Sequence, residues 1–412
     1  MALRRFILKC RECGREYEPR LIYVCEDCFG PLEVHYPELG KLSLSRGVIE
    51  SRGKDLWRYL ELLPIEDSKN IVSLGAGYTT LHKAERLGRK LGLRNLYLKE
   101  DITNPTHSFK DRPASVAVSR CLELGLKAVG CASTGNLAAA TAAHAAKAGL
   151  PSFVFVPKGL EKEKIAQALS YGATIVEVRG TYDQANWLAA RFAEEYEVGV
   201  VNVNIRPYYV EGSKTLAYEV CEQLGWRAPD HVIVPMASGA LLNAINKGFE
   251  EFRELGLIDD GTRVSGAQPQ GCSPIASAYQ KGDEYVTPVE KPETIAKSLA
   301  IGDPGDGNYA LRTIRRTGGA AAAVSDPEII EAVRDVASLE GIFVEPGAAV
   351  SVAALRRFVN DGIIDKDEVV VCYLTGSGLK APETLIEKVR PPIVIKPSVE
   401  ELRKIMEVMG VA

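Results

Sequence analysis

No apolar run in the 412 residues comes near the roughly 20 needed to cross a bilayer, which argues against a helical membrane protein. The opening Met1-Ala2-Leu3-Arg4-Arg5 leads straight into a cysteine motif and lacks the apolar core of a secretory leader. An excess of charge is missing as well. The net charge of −4 is too small to draw the chain to nucleic acid or to an anionic membrane. Low-complexity tracts and fixed-period repeats are absent from the sequence. Nine cysteines are an odd number, and five of them lie scattered in apolar or helical contexts. That usage speaks against a disulfide framework and for a reducing cytoplasm.

What remains is the composition of an ordinary soluble protein, 46% hydrophobic and 25% charged, long enough for two or three domains. The first 36 residues differ from the rest. Cys10-x2-Cys13 and Cys25-x2-Cys28 can each turn two thiolates onto one knuckle, and together they complete a tetrahedral four-sulfur site. The segment has too few apolar residues to fold by burial alone, so a metal would staple it. Residues 1–36 therefore read as a zinc-ribbon-like module. The metal expected there is a structural zinc, because sulfur closes all four positions. Both signs of charge are mixed along it, so no basic face for nucleic acid emerges.

Beyond residue 36 the pattern becomes that of an α/β protein. Residues 37–127 form a lead-in, with Trp57, Leu60 and Leu63 at helical spacing and a strand at Leu96-Tyr97-Leu98. Strands are expected at 128–132, 152–156, 174–178 and 198–203, with helices between them up to residues 148, 171 and 196. This alternation predicts a parallel sheet in a smaller domain over 128–205. It resumes over 206–412 as a larger domain, with strands at 231–236, 263–267 and 369–374 and a helix at 241–254. Gly282 to Gly319, rich in Gly, Pro and charge, reads as the least regular and partly mobile region.

The stretch that organises this core is Asn104-Pro105-Thr106-His107-Ser108-Phe109-Lys110-Asp111-Arg112. Pro113 and the residues after it open a helix, which places Lys110 at a helix N-terminus. The positive end of a helix dipole disfavours a further cation, a setting that suits an imine-forming lysine. Alone, such a run is more often a solvated helix start. Three loops change the odds, each at or near the end of a strand, where parallel sheets bind ligands. Ser133-Thr134-Gly135-Asn136 offers hydroxyls and an amide, and is also a good helix cap. Pro235-Met236-Ala237-Ser238-Gly239-Ala240-Leu241 brings small residues and backbone N–H groups to a helix start, which suits a phosphate. Leu374-Thr375-Gly376-Ser377-Gly378-Leu379-Lys380 ends a buried strand and, taken alone, is a Gly-rich turn.

Over residues 70–385 these pieces resemble the fold-type II pyridoxal-phosphate enzymes, the tryptophan synthase β-like group. The likeness is most specific at Asn104–Arg112. Within the group the chain is most similar to the archaeal threonine synthases, through Ser133–Asn136, the segment Asn204–Thr215, Leu374-Thr375-Gly376 and the cysteine-rich module. The resemblance implies two parallel-sheet α/β domains behind the small module. It implies that Lys110 holds pyridoxal 5'-phosphate, that Asn136 faces its phenolic oxygen and that Thr375 faces its pyridine nitrogen. Ala237, Ser238, Gly239, Ala240 and Leu241 would cradle its phosphate. Ser133 and Thr134 would hold the substrate carboxylate. Arg206, Lys214 and Arg112, with Asn204 beside them, are the candidates for a substrate phosphate.

Two departures stand out: Ala-Ser-Gly-Ala-Leu replaces the Gly-Asn-Ala-Gly-Asn usual in bacterial members, and His107 replaces a commoner glycine. The implied reaction is O-phosphohomoserine and water to L-threonine and phosphate, by γ-elimination and β-addition of water. Cysteate synthase (phosphoserine plus sulfite) and threonine or serine dehydratase remain open on the same fold. So does a non-catalytic pyridoxal-phosphate-binding module. The expected partners are a phosphorylated amino acid and, by family precedent, a second copy of the chain.

Overall fold

Strands and helices alternate as the sequence leads one to expect in the computed structural model, which describes residues 5–159, 162–259, 261–386 and 392–409. Three short strands, β1 (Ile7–Cys10), β2 (Glu16–Tyr17) and β3 (Leu32–His35), form an antiparallel sheet in the order β2-β1-β3. Period-two burial turns Leu8, Cys10, Leu32 and Val34 inward. This sheet carries the four-cysteine module.

The largest sheet draws on both ends of the chain. Its strands are β4 (Leu81–Lys83), β5 (Asn95–Glu100), β10 (His231–Pro235), β11 (Arg263–Pro269), β12 (Ala321–Val324) and β13 (Val369–Leu374). The order is β12-β11-β10-β13-β5-β4, parallel throughout except for the antiparallel edge strand β4. All five residues of β10 are buried, as a strand covered by helices on both faces requires. β4 and β5 come from the 37–127 lead-in, so that segment shares a sheet with the strands after residue 206.

The third sheet holds β6 (Ala128–Ala132), β7 (Ser152–Pro157), β8 (Thr174–Val178) and β9 (Val198–Val200), all parallel, in the order β8-β7-β6-β9. The helix Asn136–Ala148 that follows β6 is buried from Leu137 to Ala145. Alanines let it sit that deep: they favour helix and demand little space.

β9 is shorter than the 198–203 run predicts, because Asn204 turns the chain back. Its Oδ1 accepts the Val200 N–H at 2.8 Å, and its Nδ2 donates to the Val198 carbonyl at 3.0 Å. The 282–319 region is more regular than its composition suggests, since Gly307–Arg316 is a helix. Further helices at Pro274–Lys281, Asp326–Glu340 and Pro346–Asn360 complete the larger body.

Candidate active site

The loops that follow β5, β6, β10 and β13 leave the carboxyl ends of parallel strands, where such sheets place ligands. Lys110 stands at the N-cap of the helix Asp111–Glu123 and donates from Nζ to Tyr209 Oη at 3.1 Å. Its loop is clasped from within: the Asp111 carboxylate accepts from the Thr106 N–H (2.8 Å) and hydroxyl (2.9 Å). Burial raises that carboxyl to about 6, although both Thr106 hydrogen bonds favour the charged form.

The loop is also stitched to the one after β13. Phe109 N–H donates to the Thr375 carbonyl, Ser377 N–H to the His107 carbonyl, and Ser108 bridges Gly376. His107 has φ +64°, a left-handed conformation that costs a side-chain-bearing residue about 1–2 kcal/mol. That is the physical reason for a commoner glycine at this position.

The predicted phosphate cradle runs from Ala237 to Leu241 at the start of the helix Ala240–Glu254. Gly239 has φ +91°, and a Cβ there would lie 2.8 Å from the Asp306 carbonyl oxygen. Only glycine fits, and the first-turn N–H groups of the helix have no intrahelical acceptor. Asp306 N–H donates in turn to the Ser238 carbonyl at 3.0 Å. The Asp306 carboxylate, almost fully buried, pairs with Arg206 on the one-turn helix Arg206–Tyr209. Residues three apart share a helix face, so this single turn links the cradle, through Arg206 and Asp306, to the lysine, through Tyr209.

Asn136 opens the helix after β6 and donates from Nδ2 to both oxygens of Glu345, each at 3.2 Å. Sequence reasoning missed Glu345. It is buried before the helix Pro346–Asn360, accepts from Ser298 Oγ at 3.2 Å, and donates its backbone N–H to the Gly376 carbonyl. A Cβ on Gly376 would lie 2.6 Å from the Glu345 carboxyl carbon, so glycine is what lets the two loops approach. Burial raises the Glu345 carboxyl above its ordinary value, against the Asn136 and Ser298 hydrogen bonds and the charges of Lys380 and Lys110. The available signal was Glu-Pro before a helical pattern. Ser133 and Thr134 lie half-buried in the turn before Asn136, and Thr375 is buried beside the Lys110 loop.

Three predicted residues are not brought to this cluster. Lys214 is fully buried and pairs with Glu211 (2.7 Å) and Glu251 (2.9 Å). Both polar atoms of Asn204 are engaged in the turn described above. Arg112 is fully buried between Asp101 and Glu219. Each answers a partner of its own; of the predicted cations Arg206 is the one paired with Asp306 at the cradle end, with roughly a third of its side chain exposed.

The four module cysteines converge: Sγ atoms of Cys10, Cys13, Cys25 and Cys28 all lie within 4.8 Å of one another and could hold a metal ion. Cys10–Cys28 and Cys13–Cys25 are 3.5 and 3.6 Å apart. A Zn–S bond of about 2.3 Å sets tetrahedral sulfurs roughly 3.8 Å apart, so the spacing fits. The Tyr17 hydroxyl, 3.1 Å from Cys25, lowers that thiol to about 6, whereas Cys28, despite its backbone bond to Gly30, is raised by the neighbouring Cys10 and Cys13 sulfurs.

A cofactor with a phosphate fits the same test at the main site. The cradle admits no side chain at Gly239, and Ser108 Oγ, two residues before Lys110, is buried with no hydrogen-bond partner among the described residues. Fold and site define an α/β enzyme built to hold an anionic cofactor against a lysine. The chain belongs to the pyridoxal-phosphate dependent enzyme family, whose model matches residues 72–376. A second, short match, to the NinF protein, covers residues 9–33.

A threonine synthase of Methanocaldococcus jannaschii is 42% identical over 402 residues, 97% of this chain and 99% of that protein. One from Methanosarcina acetivorans is 41% identical over 96% of this chain and 98% of its own length. Among solved structures, the processed form of threonine deaminase isoform 2 from Solanum lycopersicum superposes with a TM-score of 0.64. The match covers 86% of this chain and 93% of that one; at 21% identity it shows the fold alone.

Proposed function

We propose that the chain is a threonine synthase, a pyridoxal-phosphate-dependent lyase converting O-phosphohomoserine and water to L-threonine and phosphate. The observation that carries this reading is Arg206, a guanidinium at the cradle end of a site whose other end is Lys110. The near-full-length likeness to the archaeal threonine synthases supports it.

The reaction exchanges no electrons with an outside partner. A C–O bond at Cγ breaks with loss of phosphate, water's oxygen joins Cβ, and protons lost from Cα and Cβ are replaced at Cα and Cγ. Pyridoxal phosphate, when bound, supplies the electron-withdrawing system that makes those C–H bonds acidic. Lys110 would hold the cofactor, and its Nζ would carry protons between the substrate carbons. Tyr209 orients that amine. Asn136, held by Glu345, would face the phenolic oxygen, and the neutral Thr375 hydroxyl would face the pyridine nitrogen.

The backbone from Ala237 to Leu241 would cradle the cofactor phosphate at a helix start. Ser133 and Thr134 hold the substrate carboxylate. Arg206 binds the substrate phosphate, a charge-assisted contact that adds roughly 1.5–3 kcal/mol. The finer features belong to the same reading: a structural zinc on the four cysteines, a homodimer, and work in the cytoplasm. Nine free thiols support the last of these.

The test is product identity. O-Phosphohomoserine should yield threonine and inorganic phosphate in equal amounts. Turnover of phosphoserine with sulfite, with phosphohomoserine inert, would give the site to cysteate formation instead. Arg206→Ala should lower kcat/KM on the order of 10- to 100-fold. Metal analysis of protein made with zinc present should find one ion per chain. Stripping that ion should loosen the module and leave the cofactor's visible band in place. A chain free of metal under those conditions would end the zinc assignment.

A further inference from the structure

The Cys10–Cys13 knuckle does more than close a metal site. Arg11, between those two cysteines, reaches Asp306 with Nη1 3.2 Å from Oδ1, while Arg206 takes the other oxygen. Arg11 also lies flat on the Tyr309 ring, 3.6 Å from its centre, and the neighbouring Glu12 accepts from the Tyr309 hydroxyl. The module is therefore seated on the helix Gly307–Arg316, whose first residues touch the cradle. Asp306 itself is fixed at three more points: its N–H binds the Ser238 carbonyl, its carbonyl accepts from Asn243 Nδ2 at 3.3 Å, and it lines Gly239.

Charge decides what this arrangement does. Arg206 and Asp306 alone cancel, and a neutral pair is a poor receptor for a phosphate dianion. Asp306 is only 3% exposed, so its charge is weakly screened. Arg11 adds the second cation and restores one net positive charge. The acid nearest Arg11 on its other side is Glu33, 3.5 Å away but 41% exposed and so screened by water. The Arg206 guanidinium carries five N–H donors, and Asp306 engages Nη2. Asp306 can thus orient the group while the rest of the fork faces an anion.

Resting on the reading of Arg206 as the substrate-phosphate group, we propose that Arg11 of the cysteine module is a positioning residue for that phosphate, acting through Asp306. The module is in this view a part of the substrate site as well as a metal-stapled appendage.

The experiment uses the full-length holoenzyme and inorganic phosphate, with binding read by titration calorimetry and turnover by separate kcat and KM. Arg11→Met should weaken phosphate roughly 5- to 10-fold and raise KM by a similar factor, with kcat changed less. Arg11→Lys should recover much of that loss. Glu12→Gln, in the same knuckle but off Asp306, should leave phosphate binding unchanged. In the double variant Arg11→Met/Arg206→Met the added loss from Arg11→Met should be clearly smaller than in wild type, because the orienting of Arg206 through Asp306 is already gone and only the uncovered Asp306 charge is felt. Metal content and the cofactor's visible band, both retained, report that the variants fold.

Unchanged phosphate affinity in Arg11→Met, beside a clear loss in Arg206→Met, would overturn this proposal and leave the reading of Arg206 standing. Losses that simply multiply in the double variant would overturn it too. If Arg206→Met itself binds phosphate normally, the underlying reading fails and takes this one with it. Loss of cofactor in place of phosphate affinity would assign both arginines to the cofactor's own phosphate.

Discussion

Lys110→Ala is expected to abolish turnover, with a fall in kcat on the order of 10³-fold or more, because in the proposed reading one amine would both hold the cofactor and move the protons. The fold should survive. Among the described residues Lys110 makes one side-chain hydrogen bond, to Tyr209, and the loop around it is shaped by the Thr106–Asp111 clasp and by backbone bonds to Thr375 and Ser377. The cradle is likewise independent of Lys110, so cofactor should still bind, held by its phosphate but without the covalent visible band. Absorbance and product analysis together decide the matter. A variant with the normal band and normal turnover would place the chemistry on another residue. A variant with neither cofactor nor near-UV dichroism would show that Lys110 had been needed for folding.

Much of this was legible along the chain because the signals were local. β6, β8 and β13 have the bounds their apolar runs predict, and the helix after β6 ends at Ala148 where the alanine pattern stops. The four loops of the site could be found because strand ends and glycines mark them. Charged residues were harder. Lys214 and Arg112 look like phosphate ligands in one dimension: Glu211, three residues before Lys214, is a local sign of only half of that lysine's pairing, and Arg112 has no such neighbour. Glu219 and Glu251, which neutralise them, lie on helices joined to them only by packing. Asp306 was hidden for the opposite reason. It sits in a Gly- and Pro-rich stretch that reads as loop, and its two arginines are 100 and 295 residues away. The helix Asp326–Glu340, by contrast, announces itself through the capping box Ser325-Asp326-Pro327-Glu328, so its signal was available.

The stretch around Lys110 also shows how one motif serves chemistry and stability together. Asn104 accepts from the Gly77 N–H and donates to the Asp101 carbonyl, tying the motif to the loop before β4. Arg112 anchors its far end. Two residues after the lysine, it fixes where the helix Asp111–Glu123 begins, and with it the position of Lys110.

Arg112→Met should therefore be the most damaging single change to stability. The guanidinium is fully buried, with Nε 2.7 Å from Asp101 and Nη2 2.8 Å from both Asp101 and Glu219; Nη1 also bonds Glu219 and Thr215. Methionine fills part of the volume but leaves Asp101 and Glu219 without their main cation. Lys99, 2.8 Å from Glu219, can answer only part of that charge. Removing one partner from a buried ion pair costs about 3–5 kcal/mol, which for a chain of this length corresponds to a fall in Tm of roughly 3–6 °C.

The pH dependence gives a second readout. Burial alone would raise the Glu219 carboxyl, but Arg112, then Lys99, pull it down to about 2. A carboxyl lowered on folding stabilises fully above its unfolded value, near 4.5, and loses that contribution as pH falls toward 2. The gap in Tm between wild type and Arg112→Met should thus be full at pH 7 and shrink as the pH falls from about 4.5 toward 2. Thermal melts across that range measure it directly. Equal melting temperatures at pH 7 would show that the network adds nothing to stability, and a gap unchanged toward pH 2 would show that Glu219 is not the group that carries it.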